Sequence, residues 1–359
     1  MALKTTIDKI IDTSIDTRIF PGAVVFVAQG DTILHHRAYG STMYTDDGSV
    51  PVSLNTIYDI ASLTKVFTAT AVLRLVDARI LDLDAPIQKY LKEVHTADIT
   101  VKHLLTHTSG LEIRLSSLRE LGREGLLQAV YQTEPRYPPD SVVAYTNVNS
   151  LLLGEIVEYL ADMPLDQAIR QLVTTPLGLT TTCFCPSPAL QSHIAPTEID
   201  HDWRGRLVHG SVHDESTHAL GGVAGHAGLF STSTDLYHFC QVWLDDKQRN
   251  TSVNSIQWRD SSFLRPETQA FACMNHTPDL ALSCGLGWML DRPNFMGDAP
   301  QGSFGHTGFT GPAIIIIPCY SLIVVVLCNR VYPQRRTPDH HAVIASIVET
   351  AIENCKPSQ

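Results

Sequence analysis

One long apolar stretch, residues 313–328, reads AIIIIPCYSLIVVVLC and decides how the second half of the chain folds. A membrane-spanning helix needs about 20 apolar residues. This stretch is shorter than that, and Pro318, Tyr320 and Ser321 interrupt it. Two buried strands joined by a tight turn fit the pattern better. We therefore predict a strand pair here and no membrane span.

A second strand pair is predicted near the N-terminus. The sequence GAVVFVAQGDTILHHRAYG, residues 22–40, has two β-rich runs on either side of residues 29–31, which is a hairpin signal. The segment before it has apolar residues at helical spacing and no signal-peptide pattern, so we predict an amphipathic helix. These apolar residues are Leu3, Ile7, Ile10, Ile11 and Ile15.

The order of predicted elements is a helix, strands, a long helical stretch, strands and a helix, which indicates an α+β fold. The later elements include a helix over residues 150–160, a strand over 285–290 and a final helix over 340–354. We expect an antiparallel sheet flanked by the N- and C-terminal helices, plus a large mainly helical lobe. The chain, residues 1–359, would be a single catalytic unit. Its α/β lobe would comprise residues 1–60 and 284–359, and its helical lobe, with long loops, residues 61–283.

Composition excludes several classes of protein. The 359 residues are 44% hydrophobic and 18% charged, which is typical of a globular chain. The net charge is −11, and no run of five like charges occurs, so we expect neither nucleic-acid nor membrane binding. The cysteines lack zinc-site spacing. With no secretion signal, we expect them to be reduced and the protein to be cytoplasmic.

The residues that indicate chemistry begin with Ser62 and Lys65 in the segment DIASLTKVFTA. Positions three apart share a face of a helix, so these side chains would be neighbours. A serine hydroxyl is a weak nucleophile unless another group takes its proton. A lysine does this only where its surroundings lower its pKa from about 10.4.

Two later segments add to this pair. Tyr145 and Asn147 form a Tyr-x-Asn triplet after a loop-like stretch. Residues 305–311, GHTGFTG, lie directly before the apolar stretch at 313–328. Glycines allow close approach of a backbone and leave N–H groups able to bind an oxyanion.

Together these segments resemble a known family, the penicillin-recognising serine enzymes. That family includes class C β-lactamases, low-molecular-weight penicillin-binding proteins, D-aminopeptidases and related esterases. The similar motifs are Ser62-x-x-Lys65, Tyr145-x-Asn147 and His306-Thr307-Gly308. Further similar segments are LLTHTSGL at 104–111, PLGL at 176–179, VHDE at 212–215 and GHAGLFS at 225–231. The resemblance implies a β-lactamase/transpeptidase-like fold.

The resemblance also implies catalytic roles. Ser62 would be the acylated nucleophile, and Lys65 and Tyr145 would share the general-base work. The sequence does not decide which of the two is the base, because the pair would titrate together. Asn147 would hydrogen-bond a substrate carbonyl or hold Lys65 in place.

Substrate binding would fall to His306, Thr307, Gly308 and Phe309. The backbone N–H groups of Ser62 and Phe309 would form the oxyanion hole. No cofactor and no metal are implied. The ligand would be a small molecule or a short peptide, and the oligomeric state stays undetermined.

One departure from the family concerns His306, because many β-lactamases and transpeptidases have lysine at this position. Lysine is a permanent cation suited to a substrate carboxylate, whereas histidine titrates near pH 6.5. The replacement favours esters, amides or D-amino-acid peptides without that carboxylate. We also expect the balance between neutral and carboxylate-bearing substrates to change as His306 is protonated near pH 6.5.

Other residues have simpler interpretations. His107 is interpreted as a capping or packing residue. Phe309 and Trp288 either line an acyl pocket or pack in the core. A histidine-rich stretch matches no metal-ligand spacing, and its histidines are at positions 193, 201, 209, 213, 218 and 226. Within it, His213, Asp214 and His226 would shape the cleft.

The sequence therefore predicts a cytoplasmic serine hydrolase that cleaves an ester or amide, as an esterase or a D-peptidase-like enzyme would. One alternative is an acyltransferase or peptide cyclase with the same acyl-serine chemistry. Others are a β-lactamase or D-Ala-D-Ala carboxypeptidase, a metal-dependent hydrolase that uses the histidine-rich stretch, and a catalytically silent binding module on the same scaffold.

Overall fold

The computed structural model describes residues 2–44, 48–96, 98–244, 263–335 and 340–357. The helices are α1 Ala2–Asp16, α2 Thr64–Asp77, α3 Val101–Leu105, α4 Gly122–Tyr131, α5 Asn147–Ala161, α6 Leu165–Ile169, α7 Glu215–Ala219, α8 Ser233–Gln241, α9 Pro266–Cys273, α10 Pro293–Met296 and α11 His340–Glu353. The strands are β1 Gly22–Gln29, β2 Thr32–Gly40, β3 Tyr58–Asp59, β4 Cys183–Phe184, β5 Glu198–Asp200, β6 Arg206–Val208, β7 Leu229–Ser231, β8 Met289–Leu290, β9 Phe304–Thr307, β10 Ala313–Ile317 and β11 Leu322–Cys328.

A six-stranded sheet forms the centre of the described chain, in the order β2-β1-β11-β10-β9-β8. Every neighbouring pair in it is antiparallel. The apolar stretch at 313–328 forms β10 and β11, joined by the 3₁₀ turn Pro318–Tyr320. Residues 22–40 form the hairpin of β1 and β2. Both predicted strand pairs are confirmed.

The sheet is buried on both faces, which explains why its central strands are apolar throughout. On one face, Val25 and its neighbours pack against α1 and α11, where Ile7 and Ile347 are fully buried. On the other face, Val24 and its neighbours pack against the core that surrounds α2, α5 and α8. Because successive strand residues point to opposite faces, one strand contributes to both layers. The predicted α+β fold, with terminal helices flanking an antiparallel sheet, is confirmed.

Helix α2 runs through the middle of the larger core and is buried along most of its length. Its sequence, TKVFTATAVLRLVD, has no glycine, and its alanines and threonines allow neighbouring segments to approach closely. Gly225, which has no side chain, lies against this helix. Its carbonyl oxygen accepts a hydrogen bond from Thr68 Oγ1 at 2.8 Å. This packing fixes α2 beneath the cleft described below.

Two elements begin at a residue other than the one predicted. Only residues 289–290 of the predicted strand 285–290 are in the sheet, because Gly287 has φ +84° and donates its N–H to the Leu105 carbonyl. Helix α5 begins at Asn147 rather than at residue 150, because Thr146 caps it. Asn147 is therefore helical, at the N-terminal end of α5.

No helix within the described ranges combines the length and apolar character needed to cross a membrane.

Candidate active site

Ser62 lies in the 3₁₀ turn Ala61–Leu63, which leads directly into α2. The turn follows the short buried strand β3, and Ala61 has a left-handed backbone with φ +45°. A residue with a Cβ adopts this conformation only where the surroundings hold it. The resulting bend leaves Ser62 half-buried on the wall of a cleft.

Lys65 lies one turn further along and is only 2% exposed. Its Nζ is 2.9 Å from Ser62 Oγ, 2.9 Å from Asn147 Oδ1 and 3.1 Å from the His226 carbonyl oxygen. Among the described residues, no carboxylate forms an ion pair with it. The lysine is thus held by three uncharged oxygen atoms.

Tyr145 covers the lysine from the open side. Its ring centroid is 5.0 Å from Lys65 Nζ, which is a cation–π distance. The side chain is 45% exposed, and its hydroxyl has no hydrogen-bond partner in the part of the chain that the structure describes. Tyr145 therefore contacts the lysine through its ring and lines the cleft.

His306 lies on β9, near the Tyr145 ring, and is 1% exposed. Its Nδ1–H donates to the Thr307 carbonyl oxygen at 2.9 Å. Burial, and then the nearby Lys65 ammonium, lower the pKa of His306 to about 3. The expectation that His306 titrates near pH 6.5 is therefore wrong: the imidazole is neutral across the physiological range.

The segment after His306 packs directly on the serine turn. A Cβ on Gly308 would lie 2.6 Å from the Ile60 carbonyl oxygen, so only glycine fits there. Thr307, Gly308 and Phe309 all line the cleft. Neither the N–H of Ser62 nor that of Phe309 has an acceptor among the described residues.

The cleft has a volume of about 600 Å³. Phe309 is 48% exposed within it. The guanidinium of Arg330 lies over its ring at 4.8 Å, and that of Arg335 at 5.8 Å. Trp288, the other candidate for an acyl pocket, is 2% exposed and packs among core aromatics instead.

His107 is a site residue that the sequence did not reveal. Its ring centroid is 4.8 Å from that of Tyr145, and its Nδ1 accepts a hydrogen bond from Asn149 Nδ2 at 3.1 Å. Burial and then Lys65 lower its pKa to about 3. The interpretation as a capping or packing residue omitted this contact. The only signal was the LLTHTSGL segment, which gives no direction for the side chain.

The histidine-rich stretch contributes to the cleft in two ways. His213 and Asp214 line it directly. His226 is fully buried behind Lys65, where its carbonyl binds the lysine and its Nε2 lies 3.2 Å from Asp214 Oδ1. Within the described ranges, no group of three or more His, Cys, Asp and Glu side chains is arranged to hold a metal ion.

Several known proteins are similar to this chain. A family model described as Beta-lactamase matches residues 7–349. A protein of Escherichia coli O157:H7 named "Putative D-alanyl-D-alanine carboxypeptidase" is 29% identical over 367 residues, covering 90% of this chain and 81% of that protein.

Solved structures of similar fold include "EstCE1, a hydrolase with promiscuous acyltransferase activity", with a TM-score of 0.73 and 19% identity. The match covers 96% of this chain and 98% of EstCE1. The penicillin-binding protein homologue from Pyrococcus abyssi has a TM-score of 0.74 and 22% identity, over 97% of this chain and 77% of that one. At these identities the structures indicate a shared fold.

Proposed function

Because the chain belongs to the β-lactamase family, we propose that it is a serine hydrolase that cleaves an ester or amide bond through an acyl-enzyme on Ser62. The observation that carries the proposal is the 2.9 Å separation of Lys65 Nζ from Ser62 Oγ inside a ligand-sized cleft. A nucleophile and a base within hydrogen-bond reach are what acyl transfer to serine requires.

In the proposed first step, neutral Lys65 takes the proton of Ser62 while Oγ attacks the substrate carbonyl carbon. The developing oxyanion accepts hydrogen bonds from the N–H groups of Ser62 and Phe309. The leaving group then departs with a proton. The Tyr145 hydroxyl delivers this proton and is reprotonated by the Lys65 ammonium, so both side chains return to their starting forms. Until then the Tyr145 ring stabilises the ammonium.

Deacylation repeats these events with water as the nucleophile, which releases the acid and restores Ser62. An alcohol or amine in place of water would give acyl transfer from the same intermediate. Added alcohols that compete with water would therefore divert the acyl group in proportion to their access to the cleft.

The preferred substrate class follows from His306. Since its imidazole stays neutral, no permanent cation stands where many relatives have lysine, and this supports a neutral ester or amide. Arg330, which lies over Phe309 in the same cleft, supports a second candidate, a D-peptide with a free carboxylate. The carboxypeptidase name of the E. coli relative is consistent with that candidate.

Mass spectrometry of the intact protein tests the proposal. One fluorophosphonate group should add to the wild type, and acyl adducts should form with p-nitrophenyl esters. Ser62→Ala should show neither adducts nor turnover. Ser116 also lines the cleft, so Ser116→Ala is a matched control that should still be labelled.

Labelling of Ser62→Ala at another serine would contradict the proposal. Turnover that disappears in EDTA or o-phenanthroline and returns with zinc would instead support metal-dependent hydrolysis. Comparing p-nitrophenyl butyrate with D-Ala-D-Ala peptides ranks the two substrate candidates.

A further inference from the structure

Asp59 is a buried residue that does not line the cleft. It forms hydrogen bonds with three segments next to the cleft. The side chain is 2% exposed. Its Oδ1 accepts the N–H of Ala61 at 2.8 Å, and its Oδ2 accepts the N–H of His213 at 2.7 Å. Its main-chain carbonyl accepts a hydrogen bond from Thr310 Oγ1 at 2.7 Å.

Two of these segments carry the N–H groups assigned above to the oxyanion hole. Ala61 immediately precedes Ser62, and its backbone is left-handed, with φ +45°. Thr310 immediately follows Phe309. One residue therefore contacts the direct neighbours of both donors, on two segments far apart in the sequence.

The two segments meet with almost no free space. Gly308 approaches the Ile60 carbonyl so closely that a Cβ would lie 2.6 Å from it. Oxyanion donors act only when both lie about 2.7–3.1 Å from the same oxygen. A small relative displacement of the two segments would therefore separate the donors.

We propose that Asp59 is a positioning residue that holds the Ser62 and Phe309 N–H groups at one point, through its side chain on Ala61 and its main chain on Thr310. This inference rests on the proposed function, because it concerns the stabilisation of an oxyanion formed on attack by Ser62.

The chemistry of the position favours a carboxylate. Two N–H donors converge on the side chain, and each oxygen of a carboxylate accepts one. An asparagine would offer one acceptor and one NH₂ group, so a donor would face a donor at one of the two contacts. Asp59→Asn therefore breaks one contact while keeping the volume. Because burial raises the pKa of Asp59, removing its charge relieves a desolvation cost, and the fold should persist.

The decisive readout separates positioning from general stability. Asp59→Asn should lower kcat for p-nitrophenyl butyrate roughly 10- to 100-fold, somewhat less than the loss of a whole oxyanion donor, with KM changed by less than about threefold. Fluorophosphonate should still label Ser62 to one equivalent, only more slowly.

A thionoester supplies a second signature, because sulfur fits a rigid pair of N–H donors worse than oxygen does. The wild-type preference for the ester over the matching thionoester should shrink by about fivefold or more in Asp59→Asn. Thr310→Val, which keeps the shape but loses the hydroxyl, should change the same ratio. Thr310→Ser, which keeps the hydroxyl, should restore most of it.

Asp235 provides a matched control. It is also a buried carboxylate that accepts two backbone N–H groups, those of Thr181 and Thr182, but it does not line the cleft. Asp235→Asn should keep kcat and the ester-to-thionoester ratio within about twofold of wild type, whatever it does to the melting temperature.

Equal losses of kcat in Asp59→Asn and Asp235→Asn, or an unchanged ester-to-thionoester ratio in Asp59→Asn, would overturn the inference. If Asp59→Asn does not fold, identical ratios in Thr310→Val and Thr310→Ser would overturn it. A failure of the proposed function looks different, since Ser62→Ala would then still be labelled or still turn over substrate.

Discussion

Two walls of the cleft place histidines in opposite electrostatic surroundings. The first, the reactive wall, consists of Ser62 and Tyr145, which line the cleft, and of three side chains packed against them, Lys65, His107 and His306. His306 is buried and His107 half-buried near the lysine, and desolvation together with the ammonium lowers each pKa to about 3. The imidazoles are therefore neutral at any pH at which the protein is expected to work.

The second, the loop wall, consists of residues 212–226 and the side chains that hold them. Here each buried histidine meets a carboxylate. His213 Nε2 lies 2.6 Å from Glu198 Oε2, and His226 Nε2 lies 3.2 Å from Asp214 Oδ1. These two imidazoles are hydrogen-bonded to carboxylates, whereas those of the reactive wall lie near the lysine.

The difference assigns separate tasks to the two walls. On the reactive wall, both histidines beside Lys65 are neutral, and none of the five side chains is a carboxylate. On the loop wall, carboxylates make strong, permanent hydrogen bonds. These bonds fix the loop whose His226 carbonyl holds Lys65.

Removing the Lys65 amine from the reactive wall should have the largest effect. Lys65→Met keeps most of the side-chain length but removes the base, so kcat/KM for p-nitrophenyl butyrate should fall by about 10²- to 10⁴-fold. In Lys65→Arg, kcat/KM should fall as far, because a guanidinium does not lose its proton.

Lys89, whose Nζ lies 5.5 Å from the centre of the Tyr90 ring, offers a matched control for the loss of a cation–π pair. Lys89→Met should retain wild-type kinetics. A Lys65→Met protein with more than a tenth of the wild-type kcat/KM would contradict the role assigned to the lysine.

On the loop wall, Asp214→Asn should act mainly on stability. Asp214 caps α7 and accepts from Ser216 as well as facing His226. Loss of its charge should lower the free energy of unfolding by about 1.5–3 kcal/mol, as measured by urea denaturation.

The pH dependence of that effect has a defined sign. Burial alone would raise the pKa of Asp214, but His226 and the hydrogen bonds hold it well below its ordinary value. A carboxyl with a lowered pKa stabilises the fold above its unfolded pKa of about 3.9, and this stabilisation is lost on acidification below that. The difference between wild type and Asp214→Asn should thus narrow from pH 5 to pH 3. A constant difference would contradict the lowered pKa of Asp214.

The smallest effect should come from His306. Its folded pKa of about 3 lies below the unfolded value, so the unfolded chain binds more protons and stability falls as the pH drops below about 6.5. The slope for one such histidine is at most about 1.4 kcal/mol per pH unit. His306→Gln should reduce the wild-type slope between pH 6 and pH 5 by up to this amount.

Kinetics give the same residue a second test. His306 does not change its charge between pH 6 and pH 8. It should therefore contribute no difference between these two pH values to the ratio of kcat/KM for nitrocefin to kcat/KM for p-nitrophenyl butyrate. A ratio that rises at pH 6 in the wild type, and not in His306→Gln, would show that the imidazole is protonated.

Much of the fold was predictable because its signals are local. The runs of apolar residues in β1, β10 and β11 need no knowledge of their partners to be identified as buried strands. The i, i+3 spacing likewise predicted that Ser62 and Lys65 would be neighbours. The start of β8 was mispredicted because Gly287 forms a turn whose hydrogen-bond acceptor, the Leu105 carbonyl, is far away in the sequence.

The sequence by itself determined the sheet, the helical pair of serine and lysine, and, through resemblance, the segments that accompany them. Only the tertiary structure decided the protonation of His306, the contact of His107 with Tyr145 and the joining of two segments by Asp59. The reason is that pKa values and hydrogen bonds depend on burial and on neighbours tens to hundreds of residues away, which no local pattern encodes.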